Sequence, residues 1–99
     1  MKNLDTTLYF ITDSTGFSEE EFLRRIEEAL KGGATLLQLR EKEKTTREYI
    51  TLAQKAHTLT KKYNVPLIID DRLDVALAMG AEGVHLGQIL IILGPYHYM

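Results

Sequence analysis

Gln38-Leu39-Arg40-Glu41-Lys42 places an amide, a planar guanidinium and an ammonium within one short stretch of chain. A guanidinium grips a phosphate through paired N–H donors and an ammonium acts on it as a point charge, so the set suits a polyphosphate. Further along, Asp70-Asp71 offers hard carboxylate oxygens of the kind that hold Mg²⁺ alongside substrate phosphates. Cations from one segment and carboxylates from the other would then face each other across a diphosphate. A plainer arrangement uses the same residues: Arg40, Glu41 and Lys42 as a solvated loop paired with Asp70 and Asp71. Spacing by itself does not choose between the two.

Such side chains need elements to hold them. Leu8-Tyr9-Phe10-Ile11-Thr12 is an apolar and β-branched run closed by Asp13-Ser14-Thr15-Gly16, which reads as a strand followed by a loop. Ser18 with Glu21 forms a capping box, and Phe22, Leu23, Ile26, Ala29 and Leu30 then recur at helical spacing until Gly32-Gly33. Leu36-Leu37-Gln38-Leu39 is a second apolar run. Thr45 with Glu48 opens a second helix, expected to reach about Tyr63 with Asn64 as its cap, on an apolar face of Tyr49, Leu52, Ala53, Ala56, Leu59 and Tyr63. Leu67-Ile68-Ile69 predicts a third strand ending at Asp70-Asp71-Arg72, Leu73 to Met79 a short third helix, and Gly83-Val84-His85-Leu86 a fourth strand.

Continuous apolar strands alternating with amphipathic helices indicate an α/β fold with a parallel sheet covered by helices. A full barrel of eight such units takes about 250 residues, so the expectation is a partial TIM-type (β/α)₈ barrel with about four parallel strands and three helices. Chemistry in such folds sits at the carboxyl ends of the strands, which here carry Thr12-Asp13, Gln38 to Lys42, Asp70-Asp71-Arg72 and Gln88.

Composition narrows the classes. Ninety-nine residues make one small domain, with 44% hydrophobic and 26% charged residues as in ordinary globular proteins. Twelve Lys and Arg against fourteen Asp and Glu leave a formal charge of -2, so no basic stripe exists for nucleic acid. No cysteine is present, which removes disulfides, thiolate zinc sites and cysteine nucleophiles. Met1-Lys2-Asn3-Leu4-Asp5 lacks the apolar run of a signal peptide, and Ile89 to Leu93 is too short to span a bilayer. A cytoplasmic location without a membrane role is expected.

Four motifs taken together resemble the amino-terminal half of the thiamine phosphate synthase (thiamine phosphate pyrophosphorylase) family. They are Tyr9-Phe10-Ile11-Thr12-Asp13, the segment from Gly33 to Lys42, the segment from Pro66 to Ala78, and the segment from Gly80 to Gln88. The resemblance implies a (β/α)₈ barrel enzyme that joins hydroxymethylpyrimidine diphosphate to thiazole phosphate with Mg²⁺ and releases diphosphate. Carried over by position, Gln38, Leu39, Arg40, Glu41, Lys42 and Asp70 would bind the pyrimidine diphosphate, and Asp71 would ligate Mg²⁺. Arg40 and Lys42 would act in catalysis by stabilising charge on the departing diphosphate, which leaves a pyrimidine carbocation for the thiazole nitrogen to capture. That scheme needs no general base. His85, with no acid/base partner near it in sequence, is read as a packing residue.

The chain departs from the family at two places. Asp70 stands where the family usually has Asn, and a carboxylate cannot donate a hydrogen bond as an amide does. After Gln88 the family continues with an acidic pair holding a second Mg²⁺ ligand, whereas here Leu90 takes that place in an apolar run. Residues 1–88 are therefore read as the family-like half barrel and 89–99 as a divergent apolar tail, arising from a frameshift, a truncation or an artificial end, with Tyr96-His97-Tyr98 frayed. The family's later serine that binds diphosphate, its later lysine and the glycine-rich strand ends that hold the thiazole phosphate have no counterpart, so little turnover is expected. Two other readings stand beside the synthase: a non-catalytic fragment that binds diphosphate and Mg²⁺ or serves in assembly, and a relative of thiazole tautomerase. Open sheet edges and an uncovered apolar interior predict a homo-oligomer.

Overall fold

A computed structural model describes residues 5–93. The readings made of Met1 to Leu4 and of Tyr96-His97-Tyr98 concern residues outside that range. The elements run β1 (Tyr9–Thr12), α1 (Glu19–Lys31), β2 (Leu36–Leu39), α2 (Thr46–Lys62), β3 (Leu67–Asp70), α3 (Leu73–Met79), β4 (Gly83–Leu86) and β5 (Ile89–Ile92).

Both expected capping boxes form. The Ser18 hydroxyl accepts from Glu21 N at 3.1 Å and the Thr45 hydroxyl from Glu48 N at 3.2 Å, while each glutamate reaches back to its cap's N–H. Helix α2 ends one residue short of Tyr63, which caps it, and Asn64 follows at φ +57°, the left-handed turn that asparagine tolerates better than most residues.

Strands β1 to β4 pair in parallel and in chain order. Alternate strand residues share a face, so Leu37, Leu39, Leu67, Ile69 and Val84 point to one side. There they join Phe22, Ile26 and Leu30 of α1, Tyr49, Leu52, Ala53 and Ala56 of α2, and Val75 and Ala76 of α3 in a single buried core. All three helices thus cover one face of the sheet, as in barrel winding rather than a doubly wound sheet with helices on both sides. The other face carries Leu36, Gln38, Ile68 and Asp70, with Leu36 and Ile68 buried despite having no helix above them.

One element was not anticipated. Ile89–Ile92, read from sequence as part of a divergent tail, forms β5, which pairs antiparallel with β4 through Leu86↔Ile89 and Gly83↔Ile92. The two residues between the strands, Gly87 and Gln88, make the turn, and Gly87 takes φ +59° to do so. The sheet's free edges among the described residues are therefore β1 and β5, and β4 is an inner strand. None of the described helices is long and apolar enough to cross a membrane.

Candidate active site

The carboxyl ends of β1, β2 and β3 lie side by side because the strands pair in parallel, with Thr12↔Leu39 and Leu39↔Ile69 in register. The chain leaving β2 thus starts beside the chain leaving β3. Tyr49 fixes the junction from below: its buried hydroxyl donates to Leu39 O at 2.8 Å and lies 3.3 Å from Asp70 O. Burial is the main reason its phenol is pushed far above the ordinary value. Sequence reading counted Tyr49 only as core, since periodicity reports that a residue is buried and is silent on what its hydroxyl meets.

Arg40 N donates to Thr12 O at 2.9 Å, which anchors the residue's backbone. Its Nε lies 3.4 Å from Asp70 Oδ2, a charge contact without a directed hydrogen bond, so that buried N–H has no hydrogen-bond partner although the side chain as a whole is 42% exposed. An unsatisfied buried donor costs about 1–3 kcal/mol and favours an incoming acceptor. Arg40 and Lys42 line a depression of about 260 Å³ with Asp13, Thr15 and Glu43. Lys42 also lines a second, of about 210 Å³, with Glu41, Asp70, Asp71 and Arg72. The expected cations and carboxylates are thus on one rim, and Lys42 belongs to both hollows. Thr15 and Glu43 were not singled out from sequence because neither belongs to a recognisable pattern.

Asp71 leaves β3 at φ +64°, and its N–H donates to His85 O at 2.8 Å. A non-glycine residue held in the left-handed region stores strain, which is found disproportionately at functional sites. The turn sets Asp71 at the exposed rim directly after the half-buried Asp70.

Three of the expected site residues have other duties. Gln38 is 2% exposed, and its amide Nε2 donates a short hydrogen bond to the Tyr9 hydroxyl. Tyr9's own phenol is raised, chiefly by burial. Leu39 is wholly buried in the helix-facing core and presents no side chain to a ligand. Glu41 reaches back to the β1–α1 loop, where its two carboxylate oxygens accept from Ser14 N at 2.7 Å and Ser14 Oγ at 2.8 Å. It ties two loops together while also lining the second hollow.

His85 needs correction. No partner was evident in sequence, yet the register Asp70↔His85 puts both side chains on one face, and Nδ1 lies 3.4 Å from Asp70 Oδ1. Asp70 therefore stands between a guanidinium and an imidazole. Among the described residues no cluster of three or more His, Asp or Glu forms a ready-made metal cage. Mg²⁺ does not require one, because it keeps several waters and commonly takes one or two carboxylates plus substrate phosphates. Asp71 fits that pattern.

A family model described as thiamine monophosphate synthase matches residues 8–91. The thiamine-phosphate synthase of Methanobrevibacter smithii is 54% identical over 88 residues, covering 89% of this chain and 42% of that protein. The thiamine-phosphate synthase of Clostridium acetobutylicum is 51% identical over 88 residues with the same coverage. Among solved structures, a thiamine phosphate pyrophosphorylase from Pyrococcus furiosus superposes with a TM-score of 0.75 at 43% identity, covering 83% of this chain and 39% of that one. The chain thus spans about 42% of the length of the curated relatives it matches.

Proposed function

Because the chain belongs to the thiamine monophosphate synthase family, we propose that its rim binds hydroxymethylpyrimidine diphosphate. The reaction it serves is the transfer of that pyrimidine to thiazole phosphate with release of diphosphate. The observation that supports this reading best is Lys42, which lines one hollow with Arg40 and a second with Asp71, so that one ammonium is common to the guanidinium and the carboxylate.

The division of labour follows from charge. Arg40, whose side chain is 42% exposed, can present guanidinium N–H donors to a phosphate oxygen. Lys42, exposed and mobile on its alkyl stem, serves as the point charge. Both interactions strengthen as negative charge grows on a departing diphosphate, and this is the kind of differential binding that accelerates a reaction. Asp71, with the diphosphate oxygens, would hold Mg²⁺, which when bound adds positive charge beside the leaving group. The Tyr9–Gln38 pair lies on the helix-free face, where Gln38 gives one amide N–H to Tyr9 and keeps a second N–H and its carbonyl oxygen for the pyrimidine. We assign the protein to the cytoplasm on its cysteine-free composition and infer that it self-associates through its free sheet edges.

Calorimetric titration with inorganic diphosphate and Mg²⁺ tests the site. Wild type should bind, Arg40→Ala should bind at least tenfold more weakly, as expected when a charge-assisted contact is lost (about 1.5–3 kcal/mol), and Asp71→Ala should lose the Mg²⁺-dependent part. Equal binding by all three proteins removes the assignment.

A further inference from the structure

Asp70 is the one carboxylate of the rim that touches a cation intended for the ligand. Its Oδ2 faces Arg40 Nε at 3.4 Å and its Oδ1 faces His85 Nδ1 at 3.4 Å, while its backbone carbonyl lies 3.3 Å from the Tyr49 hydroxyl. The carboxyl group is only 19% exposed, so water screens it weakly. Asp13 and Glu43 line the same hollow but neither forms an ion pair with Arg40, while Glu41 is bound to Ser14 and Asp74 is paired with Arg72 at 2.8 Å.

We propose that Asp70 acts as a resident counter-anion, a positioning residue that holds Arg40 when no ligand is present and must be displaced from it by the incoming diphosphate. The inference rests on the diphosphate reading of the site and adds a competitor to it. Two features of the contact support it. The Arg40–Asp70 approach is close enough for attraction but lacks a directed hydrogen bond, so Arg40 is held loosely at its buried Nε while the side chain as a whole stays 42% exposed. His85, on the other side of Asp70, gives the carboxylate a second partner to turn to once Arg40 has left it. An amide at this position would carry no charge and would not compete. The carboxylate therefore trades affinity for a requirement that the ligand bring enough negative charge to outbid it, which favours a diphosphate over a monophosphate.

The inference predicts the opposite of a simple ligand-binding role for Asp70. In calorimetry with inorganic diphosphate and no Mg²⁺, Asp70→Asn should bind roughly two- to fivefold more tightly than wild type, the scale expected for removing one partly exposed charge contact. The gain should be larger for inorganic phosphate than for diphosphate, narrowing the preference between them. In an Arg40→Ala background, Asp70→Asn should bring no gain, because the carboxylate then has no guanidinium to hold. Asp70→Ser serves as a second neutral variant, with thermal melts confirming that each protein folds. Unchanged or weaker binding by both neutral variants overturns the inference, as does a gain that persists without Arg40. Equal binding by wild type and Arg40→Ala instead overturns the diphosphate reading on which it rests.

Discussion

Gly83 has no room for a side chain. A Cβ there would sit 2.7 Å from Ile68 Cδ1 and 2.9 Å from the backbone carbonyl of Ile91, and the second of these cannot rotate away. Gly83→Ala should therefore push β5 off β4 and lower stability by about 1–3 kcal/mol, the usual range for overpacking a filled site, as read by urea denaturation; a change under about 0.5 kcal/mol, the level of an ordinary surface substitution, would show that β5 is not packed as described. What makes Gly83 irreplaceable is the close approach of its neighbouring strands β3 and β5, and this limits what single residues disclose. Arg40, Lys42, Asp70 and Asp71 drew notice in the sequence because their charges and types suit a phosphate and metal site as well as a solvated loop. The Ser14–Glu41 tie and the Asp70–His85 contact were not, since each depends on which strand lies next to which and in what register. Glu41 shows the risk of reading a motif as a unit: it sits between two ligand-facing cations in sequence but turns to another loop.

Helices α1 and α2 begin where the sequence indicates, because a capping box is a local device whose parts lie three residues apart. Its charge has a consequence for pH. Glu48 is held below the ordinary glutamate value of 4.5, mainly by the Thr45 backbone N–H, and Glu21 likewise, mainly by its hydrogen bond with the Ser18 side chain. The unfolded chain therefore takes up these protons first as pH falls. Their stabilisation is complete above about pH 4.5 and is lost as pH drops through the lowered folded values. Glu48→Gln keeps the cap's geometry without the titrating charge, so urea melts should show it less stable than wild type at pH 7 and closer to it at pH 3. A constant difference at both values would mean that the carboxylate charge does not matter to the cap. Strand β5 escaped sequence reading for a different reason. Its signal, two apolar runs separated by Gly87-Gln88, is that of a two-residue hairpin, but family likeness directed attention to a missing metal ligand at Leu90. A short apolar run also carries no periodicity that separates strand from tail.

At the scale of the whole molecule, one face of the sheet is finished and the rest is not. The helix side is a continuous buried core, whereas Ile11 on one free edge is 53% exposed and Ile89 on the other is 64% exposed, with Leu8 and Leu77 also open to water. Unpaired edge strands that bear large apolar side chains normally meet another chain, and these edges carry no lysine or proline within β1 or β5 to prevent it. Identical copies can satisfy both needs at once, since pairing by a two-fold axis brings like edges together and pools the exposed apolar surface. Light scattering should accordingly return a mass of at least two chains. Ile11→Lys and Ile89→Lys, each placing a charge on one edge at an exposed side chain outside the buried core cluster, should shift the distribution toward monomer while leaving the helical circular dichroism unchanged. A stable monomer in the wild type would show that the exposed edges are tolerated alone. A dimer indifferent to both substitutions would place the contact elsewhere, with the groove between α1 and α2 around Leu23 and Leu59 the next surface to examine.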